Sequence, residues 1–140
     1  MKLTRTSKRA SGMTLLELTV VILVLLSLIS ILFVGARAWK KGSDRSANIM
    51  NIRNVQQAVR GHQNMRNLND GASVPESDIF GTAGDGVGGY LREPTPPATG
   101  IAYTYTGVVP AIGTLYTTAT YTAPATAADY APDSTTTADW

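Results

Sequence analysis

Glu17 is a carboxylate at the start of a run that otherwise has the length and composition of a membrane-spanning helix. From Leu18 to Ala36 no residue is charged, and apolar character begins at Met13. As a helix rising about 1.5 Å per residue, Met13 to Ala36 covers the roughly 30 Å of hydrocarbon in a bilayer. An ionised carboxylate there costs on the order of 2.5–3.5 kcal/mol, so Glu17 calls for a cationic partner. The other residues with chemical potential are few. His62 is the single histidine, cysteine is absent, and no paired carboxylate lies near His62 in sequence. No nucleophilic triad or metal cluster is visible, so the chain reads as a non-enzyme without a cofactor or a resident metal. His62 itself reads as helix-surface filler. Gly84-Asp85-Gly86-Val87-Gly88-Gly89 matches G-x-G-x-x-G, but it leads into Tyr90-Leu91-Arg92-Glu93-Pro94. Without a helix opening after a strand, a phosphate cradle has no helix N-terminus to work with, and a flexible loop is expected. Asp78 and Asp85 are candidate Ca²⁺ ligands with no readable ligand spacing.

The elements that would carry Glu17 follow from the absence of breakers. No proline occurs before Pro75, so one helix can run from about Met13 to about Asn67. Its first half, 13–36, is apolar on all sides, as a membrane span or bundle core must be. In its second half, 37–68, Ile49, Ile52, Val55, Val59 and more loosely Met65 and Leu68 recur at helical spacing. Asn48, Asn51, Arg53, Asn54, Gln56, Gln57, Arg60 and Gln63 are assigned to the other faces. Asn69-Asp70-Gly71 is the expected stop.

Residues 69–100 read as a Gly/Pro-rich loop in which Val74–Phe80 has room for one helical turn. Ile79, Phe80, Tyr90 and Leu91 would anchor it on the stem. Ile101–Val109 and Thr114–Tyr121 are rich in β-branched and aromatic residues and flank the turn signal Pro110-Ala111-Ile112-Gly113, which predicts a hairpin within 101–122. Residues 123–140, dominated by Ala, Thr, Pro and Asp, read as a poorly ordered, low-complexity tail. The expected fold class is α+β: a long N-terminal helix, half membrane and half amphipathic, packed by a small antiparallel hairpin, with a flexible tail.

The segment Gly12-Met13-Thr14-Leu15-Leu16-Glu17, after a leader bearing Lys2, Arg5, Lys8 and Arg9 and no acid, resembles the N-terminus of type IV pilins and type II secretion pseudopilins. The strong resemblance covers about Arg9 to Ala36. It implies a pilin-like fold and a leader, residues 1–12, with Lys8 and Arg9 in recognition. It further implies cleavage between Gly12 and Met13 by a prepilin peptidase, and N-methylation of Met13. Thr14, Leu15, Leu16 and Glu17 would then serve assembly. Glu17 becomes the fifth residue of the mature chain and pairs with the amine of a neighbouring subunit, where low dielectric leaves the attraction barely screened. Many type IV pilins have a proline near the depth of Val34-Gly35. Here a straight helix and local loosening at Gly35 both stay open. Pro94-Thr95-Pro96-Pro97-Ala98-Thr99-Gly100 with Tyr103-Thr104 is similar to the heads of small major pseudopilins, with Pro96 where a Cys is usual.

The partners implied are further copies in a helical filament, the peptidase, an inner-membrane assembly platform with its ATPase, and minor pseudopilins. The implied location is the bacterial inner membrane, single-pass, with the leader cytoplasmic and the head periplasmic or extracellular. Secretion pseudopilus, surface pilus and competence filament for DNA uptake all stay within reach, as does a single-pass anchored protein of unknown role. A Sec-type signal peptide cut at Ala36-Arg37-Ala38 fits less well, because the apolar run exceeds 7–15 residues and opens with an acid.

Composition agrees with a polymer subunit. A head of about a hundred residues without cysteine has a marginal core and no disulfide staple. Charge is divided along the chain. Arg37, Lys40, Lys41, Arg45, Arg53, Arg60 and Arg66 oppose only Asp44, whereas eight acids after Arg66 oppose only Arg92. A basic stem and an acidic head are complementary between axially offset copies. The same distribution also suits cations that flank a membrane and acids that keep a head soluble. Nucleic acid is not expected as a partner, because the cations lie on a helix that assembly buries and no aromatic platform accompanies them.

Overall fold

The computed structural model describes Gly12 and residues 14–140; the rest of the leader, with Lys8 and Arg9, and Met13 lie outside the described residues. Over the described residues the chain is α+β: one long helix, a two-stranded antiparallel sheet and three short helices. It divides into two compact units, one ending at Trp39 and one running Lys40–Trp140.

Helix α1 spans Leu15–Arg66. It stays helical through Gly35, where an added Cβ would meet nothing within 4 Å. Its end comes earlier than Asn69-Asp70-Gly71. Asn67 takes φ 49°, and the Leu68 amide closes back on the Gln63 carbonyl at 3.0 Å. This is the left-handed cap that asparagine tolerates better than most residues with a side chain.

In the first unit every large apolar side chain from Leu15 to Val34 is exposed, from 47% at Ile22 to 81% at Leu15. In the second unit the face of α1 is buried by the head. Val55 and Val59 pack with Val74, Ile79, Phe80, Val109 and Tyr116, and Leu68 and Leu91 lean on this cluster. Four residues depart from the expected stripe. Asn48, Gln56 and His62 are buried, not outward, whereas Met65 is 75% exposed.

The sheet explains the first two. β1 (Ile101–Tyr105) and β2 (Thr117–Tyr121) pair with Tyr103 opposite Ala119, and an isolated two-stranded hairpin is marginal in water. Amide side chains tie it to the helix. Gln56 Nε2 donates to the Thr114 carbonyl at 3.2 Å while its Oε1 accepts from the Tyr116 amide at 2.9 Å. Asn48 Nδ2 donates to the Tyr121 hydroxyl at 3.1 Å, and its Oδ1 accepts from the Tyr103 hydroxyl at 2.7 Å.

The strands are shorter than the predicted 101–109 and 114–121. Gly107, at φ 70°, turns the chain away from β2, and residues 107–109 bond instead to the segment after α1. Val109 donates to Ala72, Gly71 to Val109 and Val74 to Gly107, all at 2.8–2.9 Å. Helix α2, Glu76–Phe80, is the expected turn and buries Ile79 and Phe80. The glycine loop then returns over it. Tyr90 donates to the Ile79 carbonyl at 2.7 Å, and a Cβ on Gly89 would lie 2.5 Å from that same oxygen. Gly89 is therefore fixed by close packing.

The C-terminal segment also differs from its sequence reading. Residues 127–130 and 134–137 form helices α3 and α4, and Ala125 and Thr137 are buried. Short polar residues at turn starts account for this. Asp133 caps α4 by accepting from the Thr135 amide at 3.0 Å, and Thr126 donates to Asp129.

Candidate functional site

The start of α1 is built from four consecutive residues. Thr14 is the helix cap, with its carbonyl accepting from the Leu18 amide at 3.1 Å. Its amide and hydroxyl donate to Glu17 Oε2 at 2.8 and 2.9 Å, and its hydroxyl accepts from the Glu17 amide at 3.3 Å. This is a reciprocal capping box, in which residue three of the helix satisfies the amide of the cap and the cap satisfies that residue's amide. The spacing Thr-x-x-Glu announced it in the sequence, and the role of Thr14 as a cap was missed because Glu17 was matched to a partner outside the chain. Oε1 takes no hydrogen bond from a described residue.

Leu15 and Leu16, between the two, are 81% and 71% exposed. Gly12 is exposed, and an added Cβ there would meet nothing within 4 Å. Neither space nor backbone conformation in the described chain demands glycine at that position. Lys8, Arg9 and Met13 lie outside the described residues.

By length and composition the helix Leu15–Arg66 is long and apolar enough to cross a membrane. Its few hydroxyls are satisfied on its own backbone. Thr19 donates to the Leu16 carbonyl, Ser27 to Val24 and Ser30 to Leu26, each at 2.8 Å. That is what a helix in hydrocarbon requires of its polar groups. Thr19, Ile22, Leu23 and Leu26 outline an open apolar depression of about 300 Å³. Spacings of three, one and three are those of a four-residue hole that receives one side chain of a packed helix.

The remaining candidates are taken up by the head. His62, 3% exposed, is not surface filler: its ring meets Tyr90 edge-on at 5.4 Å, and Nε2 lies 3.8 Å from Asp78. Asp85 accepts from the Val87 amide in a tight turn of the glycine loop. Tyr116 is fully buried and donates to the Val74 carbonyl at 2.8 Å, and burial pushes its phenol up to about 12. Tyr105 packs on Phe80 at 4.8 Å, so these rings build the core.

Part of the stem's charge is matched inside the chain. Lys41 pairs with Asp129 at 2.7 Å and Arg60 lies 3.8 Å from Asp70. The hydrogen bond from Lys41 holds the Asp129 carboxyl below the usual carboxylate range. Comparison of the chain with known protein families, with curated proteins and with solved structures gives no match.

Proposed function

We propose that the chain is a pilin-like structural subunit of a type II secretion pseudopilus or type IV pilus. A prepilin peptidase cleaves it after Gly12 and methylates Met13. An inner-membrane platform and its ATPase then assemble copies into a helical filament, with minor pseudopilins as further partners. Before assembly the protein sits in the bacterial inner membrane with its head on the periplasmic side.

One observation carries this reading: Gly12 and Glu17 bracket the start of a helix whose apolar side chains, Leu15 to Val34, are all uncovered. Such a surface belongs in lipid or against other helices, and exchange of one for the other exposes little apolar area to water. A glycine that local structure does not require is in keeping with recognition by an enzyme. The amine freed at Met13 of one copy then competes with the Thr14 cap for the carboxylate of Glu17 in the next. In a dry bundle the attraction of a full positive charge exceeds that of the neutral donors.

Intact-mass analysis of the purified protein tests the reading. It expects a chain beginning at methylated Met13, an unprocessed membrane protein from Gly12→Val, and a cleaved but poorly assembling product from Glu17→Ala. A chain that keeps Met1 overturns it. The Thr14–Glu17 capping box favours one other reading, a single-pass anchored protein, because it gives Glu17 a partner within its own helix.

A further inference from the structure

Residues 124–140 lie against α1 within the second unit, held by charge and polar contacts. Lys41 Nζ is 2.7 Å from Asp129 Oδ1, and Asn48 Nδ2 donates to the Tyr130 carbonyl at 2.9 Å. Arg45 donates to the Ala131 carbonyl at 3.5 Å and Arg60 to the Trp140 carbonyl at 3.3 Å. The Arg53 guanidinium stands 5.6 Å from the centre of the Trp140 ring. No residue of this segment belongs to the core cluster. Asn48 keeps its bonds to Tyr103 and Tyr121 if the segment leaves.

The two surfaces have opposite charge. The segment carries Asp129, Asp133 and Asp139 with no Lys or Arg. Lys41, Arg45, Arg53 and Arg60 follow one another on α1 at spacings of four, eight and seven residues. At 3.6 residues per turn these positions fall within about a third of the helix circumference. The fit is incomplete, for a cleft of about 170 Å³ remains between Arg53, Gln56 and Gln57 on one side and Asp139 and Trp140 on the other.

We infer that this face of α1 is a docking surface for an acidic, tryptophan-bearing segment: residues 124–140 occupy it in cis as a charge-latched strap, and the same segment of a second copy is the occupant it takes in trans. Exposed ion pairs are individually weak and screened by salt, so the strap opens by uncovering only Ala125 and Thr137 of its own residues and leaves the cluster of Val55 and Tyr116 in place. Exchange between identical copies remakes each contact and needs no new surface. The tethered segment has the advantage of high effective concentration, so exchange requires a weakened latch or crowded copies. The inference stands on the second unit alone and is independent of how the N-terminus is processed.

The test uses the full chain in detergent micelles with Trp39→Phe, which leaves Trp140 as the sole indole. The probe is a fluorescein-labelled peptide of residues 124–140. Asp129→Asn weakens the latch without altering the face. Acrylamide quenching of Trp140 should rise at least about twofold in that variant, and also in the parent at about 1 M salt, where the Debye length is about 3 Å. At low salt the peptide should bind Asp129→Asn at least about tenfold more tightly than the parent, since the tethered competitor has been weakened. Lys41→Gln should free Trp140 equally but bind the peptide more weakly than Asp129→Asn does. Quenching unchanged by the variant and by salt overturns the latch. A freed Trp140 with no gain in peptide binding, or equal binding by both variants, overturns the docking face.

Discussion

The two halves of α1 are made from the same backbone and solve opposite problems. Between Leu15 and Val34 every large apolar side chain is uncovered, whereas between Asn48 and His62 even the amides of Asn48 and Gln56 and the imidazole are buried. In the second half the head supplies the cover, and polar side chains are admitted because each amide meets a specific partner. In the first half no described residue supplies that cover, and charge is confined to one end, at Glu17. A buried face with named partners has a structural role that can be read directly. A fully apolar, uncovered face points to an environment instead.

The contrast can be broken most forcefully at Tyr116. Tyr116→Ala removes a fully buried ring and its bond to Val74, at a cost of about 3–5 kcal/mol to the head. Urea unfolding followed by near-ultraviolet dichroism should register that loss while membrane insertion stays unchanged. Leu23→Arg should do the reverse. It places a charge mid-span at a cost of about 2.5–3.5 kcal/mol to insertion, read by a glycosylation-mapping insertion assay, with the head as stable as before. Gln56→Ala strips partners from the Thr114 carbonyl and the Tyr116 amide and should cost the head about 1–3 kcal/mol in the same urea experiment. Gln56→Glu should recover only part of this, because a carboxylate accepts from Tyr116 but cannot donate to Thr114.

Smaller effects sharpen the comparison at the helix start and on the strap. Thr14→Ala dismantles the capping box and should lower the stability of the first turn by about 1 kcal/mol, seen as faster amide exchange at Leu15 to Leu18. The smallest concerns pH. The Asp129 carboxyl is held down chiefly by the hydrogen bond from Lys41, so its contribution is present above the ordinary aspartate value of 3.8. It is lost as pH falls through the lower folded value. Trp140 in the Trp39→Phe background should become more quenchable across that acidic range, and Asp129→Asn should abolish the change.

Much of this fold was legible because it depends on what is missing. The absence of proline before Pro75 and of charge from Leu18 to Ala36 yields one uninterrupted helix with an apolar half. The turn at Glu76–Phe80 and the existence of the hairpin also followed from local composition. Polar burial was not legible. Periodicity counts Asn48 and Gln56 as outward, and only the position of a sheet whose edge groups need donors and acceptors reverses that assignment. The strand ends were misread because Gly107 was not recognised as the point where the chain changes partners. The C-terminal segment was read from composition, which overlooked Thr126 and Asp133 as the residues that open the two short helices. At the site itself the Thr-x-x-Glu spacing was visible, yet the apolar setting drew attention to a distant amine and away from the nearest amide.

The hydroxyls of Thr19, Ser27 and Ser30 all fold back onto carbonyls of the preceding turn. Such a surface offers a neighbour nothing to grip except contour. In the proposed filament, sliding or rotating one copy against another would break no directional bond along that stretch, so axial alignment would rest on side-chain contour and on features at its ends.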